Sequence, residues 1–520
     1  MRFAPIANLM GWTLTVVSIP MFVIGLSSFL LQDDPTEFFI RAFLIPVVLG
    51  LITGLLMIRK SRNSFDQDEG VRDREAVTAV ALGWLIVIFF GAMPYWLGGT
   101  FHGPYSYIEG NSSLSEASLG LLHSWFESMS GFTTTGATVI DPLSSPICIE
   151  VSDCIGSQPK SLLLWRSSTQ WLGGMGGIML SILILGRWIG GGLTLAREEL
   201  TGPSLSRLGP KLQQTAAFLW GVYTLLTFIE FILLYFVGNI GMFDAVNHAL
   251  TTMASGGFST HDTGIMYFDS FLVESIIVCF MVLTGLNFSL FHIAFHGDYK
   301  EALKDQELRI YICVLFLAWL AMTFSLTTAG GQGIFDSARA ALFQAASIGT
   351  STGYASADYA VWPVLSLLTL LFLMIVGASA GSTSGGLKIM RLKIAYEIVR
   401  QEIGRIVQPR QVRSIRMNGE VVDETKVQVV LGMLSAWAVA AVLGTTLIAI
   451  VEYDLDLTSV LSVVISCLGN TGPALGVFGP TATWASMNPI SMFASTIMMW
   501  IGRLEILTVL VVFNPRAWRL

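Results

Sequence analysis

Apolar residues run through this chain in blocks separated by short polar breaks. Windows of more than about 18 mostly apolar residues, enough to cross a hydrocarbon core of about 30 Å, recur from one end to the other. Two come first, near 6–31 and 42–58. From there one pattern repeats four times: a long apolar span, a shorter semi-polar stretch with helical periodicity, a polar loop centred on glycine, and a second long span. The short helices and loops read "SEASLGLLHSWFESMS" with "GFTTTGAT", "FDAVNHALTTMA" with "SGGFSTHD", "FDSARAALFQAAS" with "IGTSTGYASAD", and "LTSVLSVVISC" with "LGNTGPALG". The predicted architecture is an all-α polytopic membrane protein with ten full spans. It divides into 1–75 (two N-terminal spans and a cytoplasmic loop) and four units at 76–213, 214–307, 308–426 and 427–520.

A helix of about 12 to 15 residues rises only about 18 to 23 Å, so each short helix is expected to enter the bilayer and turn back. Irregular backbone at membrane depth survives only where it is buried in protein or lines a watery cavity. Four re-entrant loops around one axis, with glycine where φ is positive or backbones crowd, would aim main-chain carbonyls inward. A ring of carbonyls can replace the hydration shell of K⁺, and the negative ends of the short helices favour a cation there. Aligned on the loops, the central glycines are Gly136, Gly257, Gly353 and Gly472, separated by 121, 96 and 119 residues.

Charge changes the picture mainly through its placement. Charged residues are 12% of the chain, about half the soluble average of about 25%, the composition of a membrane protein; the basic clusters could be read as a nucleic-acid surface, but membrane topology is the reading preferred. Lys and Arg cluster at Arg59–Arg74, Arg187–Lys211, Lys300–Arg309, Lys388–Lys426 and Arg516–Arg519, with only Arg41, Lys160 and Arg339 in the intervening loops. The positive-inside rule then puts both termini in the cytoplasm. Of five cysteines, Cys148 and Cys154 share an exterior loop where an oxidising compartment permits either a short-range disulfide or two free thiols. No metal-ligand spacing, P-loop or dinucleotide fingerprint appears.

The motifs "MSGFTTTGAT", "SGGFSTHD", "TSTGYA", "GNTGP", "GASAGSTSGGLK" and "GRLEI", in order and each placed between spans, resemble the membrane subunit of Trk-type bacterial potassium uptake systems in the Trk/Ktr/HKT superfamily. The resemblance covers essentially the whole chain and implies a pseudo-fourfold pore. The filter would be built from Thr134, Thr135 and Gly136, Ser255, Gly256 and Gly257, Ser351, Thr352 and Gly353, and Asn470, Thr471 and Gly472. It also implies K⁺ as the transported ion with no organic cofactor, a location in the bacterial inner membrane, a separate cytosolic nucleotide-binding regulatory subunit, and a homodimer. Glycine in all four loops resembles the potassium-selective members rather than sodium-permeable or Na⁺/K⁺-cotransporting ones. The register of the second loop departs most from the family pattern.

"GASAGSTSGGLK", from Gly377 through Gly381, Ser382, Gly385 and Gly386 to Lys388, interrupts the last span of the third unit. By resemblance it is an intramembrane gating loop; a small-residue packing face is the alternative. The same letters fit the G-x-S-x-G elbow of a serine hydrolase with Ser379 as nucleophile, which requires a strand before it and a histidine partner. Arg503 lies inside the last span, where a charge must face protein or water. By resemblance it forms a positive barrier in the pore, and a salt bridge with Glu505 is the other reading. Lys388 either faces the path or snorkels to the interface, Arg166 reads as an interface anchor, and Asp244 reads as a helix cap.

Overall fold

Two long apolar helices, α1 (Phe3–Leu31) and α2 (Thr36–Arg62), open the chain and lie backbone to backbone. A Cβ on Gly11 would meet the Gly54 carbonyl oxygen at 2.7 Å, and one on Gly54 would meet that of Gly11 at 2.8 Å. Small residues permit this approach, which is how helices associate when lipid is as apolar as their side chains. In this computed structural model the described residues are 1–518 apart from 32, 63–70, 150, 177–211, 296, 298, 332 and 409–413. The clusters Arg187–Lys211 and part of the first unit therefore lie outside the described residues.

The first unit holds α3 (Asp73–Gly98), the short helix α4 (Leu114–Phe132) and α5 (Lys160–Gly174). The second holds α6 (Leu212–Phe236), the short helix α7 (Met242–Met253), α8 (Phe271–Thr284) and α9 (Phe288–Phe295). The third holds α10 (Gln306–Thr328), the short helix α11 (Ile334–Gly349), α12 (Val364–Val376) and α13 (Ile389–Val407). The fourth holds α14 (Glu424–Val451), the short helix α15 (Leu457–Gly469), α16 (Pro489–Arg503) and α17 (Ile506–Phe513). A two-residue antiparallel pairing, Arg416–Met417 with Glu420–Val421, precedes α14. At 19 residues α4 is longer than the expected short helix. Ser113 and Glu116 start it early by accepting each other's backbone N–H, a reciprocal cap that contributes about 1 kcal/mol.

The ten full spans expected are not all found among the described residues, where two bent helix pairs would bring the count to eight. Among the described residues six helices are long and apolar enough to cross a membrane, because the second helices of the last three units break part-way. Helix α5 stops at Gly174. Helices α8 and α9 meet at 92°, and α16 and α17 at 114°. Helices α12 and α13 are separated by residues 377–388. Hydropathy averages over a single glycine or arginine and so runs through the breaks in the second and fourth units. The backbone stops where side chains take over its bonds: Asn287 Oδ1 accepts from Ser289 N at 3.0 Å and Ser289 Oγ at 2.8 Å.

The two ends of the chain meet on one side of the molecule. The Met1 amine donates to the Trp518 carbonyl at 3.3 Å, and Arg2 pairs with fully buried Glu75 at 2.8 Å. At the far ends of α1 and α2, Asp33 pairs with Lys160 at 3.2 Å, on the side that carries the Cys148–Cys154 disulfide, whose Cα atoms lie 4.8 Å apart.

Candidate functional site

The four short helices end at one place, and the loops that leave them have one geometry. In each loop the residue two before the central glycine and the glycine itself both have positive φ: Thr134 and Gly136 at 53° and 85°, Ser255 and Gly257 at 53° and 76°, Ser351 and Gly353 at 54° and 84°, Asn470 and Gly472 at 50° and 99°. The N–H of the residue between them donates back to the short helix in all four, at Ser130, Thr251, Ser347 and Ser466, over 2.8 to 3.0 Å. The second loop thus keeps the same register as the others.

The loops close into a ring. A Cβ on Gly136 would lie 2.1 Å from the Gly256 carbonyl oxygen, one on Gly257 2.0 Å from that of Thr352, one on Gly353 2.1 Å from that of Thr471, and one on Gly472 2.3 Å from that of Thr135. Each glycine is therefore required twice, by its left-handed φ and by the carbonyl of the next loop against its Cα. Thr134, Thr135, Ser255, Ser351, Thr352, Asn470 and Thr471 are all buried at this ring. Asn470 adds a side-chain tie between loops, donating to Thr135 Oγ1 at 3.1 Å and to the Met499 carbonyl at 2.9 Å.

Residues 377–388 sit directly beneath. Gly377, Gly381, Gly386 and Lys388 all have positive φ, so the segment cannot continue α12 as a helix. Thr383 Oγ1 lies 2.9 Å from Ser255 Oγ, and Gly385 N donates to Ser351 Oγ at 2.6 Å. Ser382 Oγ donates to the Ser379 carbonyl at 2.6 Å, and the Ala380 N–H donates to Glu307 at 2.7 Å. Arg503 holds the segment from the side: it donates to the Thr383 carbonyl at 2.9 Å and to the carbonyls of Gly173 and Gly174 at 2.6 and 2.7 Å. Glu505 pairs with Arg391. Lys388 does not snorkel; it is buried and its ammonium donates to the Ser384 carbonyl. Lys388, Arg391, Arg503 and Glu505 line a cavity of about 50 Å³ under the ring.

Two readings from sequence are corrected behind the loops. Arg166 is no interface anchor: it is buried, pairs with Glu127 at 2.7 Å, donates to the Ser259 carbonyl at 2.9 Å and stacks 3.5 Å over Phe258. Glu127 accepts in turn from Val139 N and Thr138 Oγ1, both at 3.1 Å. Asp244 makes no cap for α7; its carboxylate accepts from Thr260 Oγ1 at 2.7 Å. Gln170, which no sequence motif marks, donates to the Gly256 carbonyl at 2.6 Å and accepts from Phe258 N at 3.1 Å.

The chain as a whole has known relatives. The sequence profile of the TrkH family, described as a cation transport protein, matches residues 107–519. The chain belongs to the TrkH family. The Trk system potassium uptake protein TrkH of Escherichia coli strain K12 is 32% identical over 526 residues, covering 100% of both chains. TrkG of the same organism is 31% identical over 452 residues, covering 86% of each. The crystal structure of the potassium transporter TrkH from Vibrio parahaemolyticus matches with a TM-score of 0.82 at 29% identity, over 100% of both chains. TrkH-family membership makes this a membrane transporter rather than an enzyme, and Ser379 follows a helix, not the strand that a hydrolase elbow needs.

Proposed function

We propose that this TrkH-family protein takes up potassium across the bacterial inner membrane through the ring of four loops, with Thr134–Gly136, Ser255–Gly257, Ser351–Gly353 and Asn470–Gly472 as its selectivity filter. The observation that carries this reading is the closed set of glycine-to-carbonyl contacts, which repeats with distances of 2.0 to 2.3 Å around all four loops. Such a ring fixes main-chain oxygens around one axis, the arrangement that replaces the hydration of a bare monovalent cation. Its four helix C-termini add negative potential there.

Residues 377–388 are the gate in this reading. The segment occupies the space under the filter and hydrogen-bonds to Ser255 and Ser351, so cations pass only when it withdraws. Arg503 puts a positive charge on the same level and latches Thr383 to the end of α5. Helix α13 continues straight from the gate and carries Lys393, Arg400 and Arg405 beside exposed Tyr396, Val399 and Ile403. A cytosolic nucleotide-binding subunit seated there would move the gate directly, and a homodimer would set two such helices in one assembly. With the disulfide side outside, the joined termini lie in the cytoplasm.

Uptake of ⁸⁶Rb⁺ into proteoliposomes under an internal-negative potential tests the filter. Competition by K⁺ but not Na⁺, relaxed in Gly136→Ser, is the expected result. Equal competition by Na⁺ in the intact protein would reject potassium selection and favour a sodium-permeable transporter.

A further inference from the structure

The second filter loop lacks the threonine that the other three carry just before the central glycine. Loops one and three each carry a hydroxyl pair, Thr133 with Thr135 at 2.8 Å and Thr350 with Thr352 at 2.7 Å. The corresponding positions of loop two are Ala254 and Gly256. No threonine would fit at 256: a Cβ there would lie 2.4 Å from Gln170 Cδ, 2.5 Å from its Oε1 and 2.8 Å from its Nε2. The carboxamide of the neighbouring unit fills the place that threonine takes in the other three loops.

Its bonds go to the main chain of the loop itself. Gln170 is fully buried and spans Gly257, donating to the carbonyl before it and accepting from the N–H after it. The Gly256 carbonyl that it holds is also the wall against which Gly136 packs, so one side chain fixes both the second loop and its junction with the first. Gln170 belongs to a stripe along α5 at one-turn spacing. Arg166 reaches Ser259, Gln170 reaches Gly256 and Phe258, and Gly174 abuts Ala254, where a Cβ would meet its Cα at 2.9 Å.

The equivalent helices carry no such group. Gly174 lies against the Tyr223 hydroxyl and Ala254 as Gly285 lies against the Tyr311 hydroxyl and Thr350, and Gly173 faces the Phe132 carbonyl as Gly502 faces that of Leu468. Counting back by the same steps, the counterparts of Gln170 are Met281 in α8 and Met499 in α16. Those methionines adjoin loops that have their own threonines.

We propose that Gln170 is a positioning residue for ion selection, replacing from a neighbouring unit the threonine that the second filter loop lacks. This rests on the four loops being the filter. Gln170→Met keeps the volume, copies the counterpart helices and removes both hydrogen bonds. In the ⁸⁶Rb⁺ competition assay it should lower discrimination of K⁺ over Na⁺ by about tenfold, the scale of one well-made buried hydrogen bond. Gly256→Thr alone should be worse, and Gln170→Ala with Gly256→Thr should recover discrimination beyond either single variant, since the threonine then has its room. Intact protein is the control that separates the two readings: if it fails to discriminate, the filter assignment fails. If it discriminates and Gln170→Met does so equally, the role of Gln170 is overturned. A double variant no better than Gly256→Thr, whether by poor assembly on gel filtration or by poor selectivity, also overturns it.

Discussion

The outer and inner halves of the four units obey different rules. Outside, at the loops, four unlike sequences adopt the same φ pattern and the same glycine-to-carbonyl spacing. Inside, where the second helices break, the same four positions diverge: α5 ends at Gly174, α8 turns through 92° beside Asn287, α12 gives way to residues 377–388, and α16 ends in Arg503 before a 114° turn. The outer geometry is enforced by main chain against main chain, which leaves side chains free to vary. The inner one is decided by particular side chains, so each unit takes a separate task. Symmetry is kept where the four loops close on one another, and abandoned where the chain turns away from them.

The largest effect expected from disturbing this contrast lies in the support behind the outer ring. Arg166 and Glu127 form a buried pair that ties the first loop to the second. Removing one partner of such a pair costs about 3–5 kcal/mol, so Glu127→Leu should lower the thermal midpoint of the detergent-solubilised protein far more than replacing both residues by apolar ones of similar size. Equal losses in the two variants would mean that the ring holds itself without that support.

Alanine at the repeated positions sharpens the comparison at intermediate size. Gly136, Gly257, Gly353 and Gly472 each combine positive φ with a neighbouring carbonyl, a strain of about 1–3 kcal/mol. Their alanine variants should lose K⁺ discrimination to a similar degree. Alanine at Gly174, Gly285 and Gly377 should give unequal results: the first two meet a tyrosine hydroxyl, whereas Gly377 has φ +66° and meets the Gly385 carbonyl at 2.4 Å. A graded series at the ring, or a flat one below it, would contradict the division of rules.

The smallest effect concerns the outer rim, where His261 joins the first two units. Its Nδ1 lies 2.6 Å from Asp153, next to the disulfide, and its Nε2 3.7 Å from Asp244; the ring stacks on Tyr267 at 3.4 Å. Burial pulls the His261 value down, but the nearby carboxylates of Asp244 and Asp153, the latter hydrogen-bonded to it, outweigh burial and leave the imidazole raised above its ordinary value. Burial pushes Asp153 up, and its bonds to His261, Asp262 N and Gly156 N outweigh that to leave it lowered. The imidazole contribution is complete below about pH 6.5 and is lost as pH rises through the raised His261 value. The carboxylate contribution is complete above about pH 3.9 and is lost as pH falls through the lowered Asp153 value. Thermal stability should therefore gain up to about 1 kcal/mol from this contact between those limits, and His261→Gln should flatten the alkaline side of the profile. An unchanged profile would remove His261 as the cause.

Much of the outer half is legible in the sequence, because glycine-centred polar loops stand out against apolar flanks and positive φ has few residues to draw on. The register of "SGGFSTHD" is the exception: its two adjacent glycines leave the sequence open, and the positive φ of Ser255 and Gly257 fixes it. The inner half is less legible. "GASAGSTSGGLK" announces a break by composition, but "VLTGLNFSLF" and "WIGRLEILTVL" keep the hydropathy of a continuous span, and their turns depend on bonds made through space. Arg166 and Gln170 are hidden for the same reason: one resembles an interfacial arginine and the other an unremarked amide, until the neighbouring loop is brought against them.

That the ring is made by one chain has a genetic consequence. In a pore assembled from four identical subunits, every codon change arrives at four places together and must be tolerated at all of them. Here a change at Gly256 or Gln170 enters once, and its neighbour can answer it alone. A glutamine can thus stand in for a threonine on one side of the ring while three threonines stay where they are.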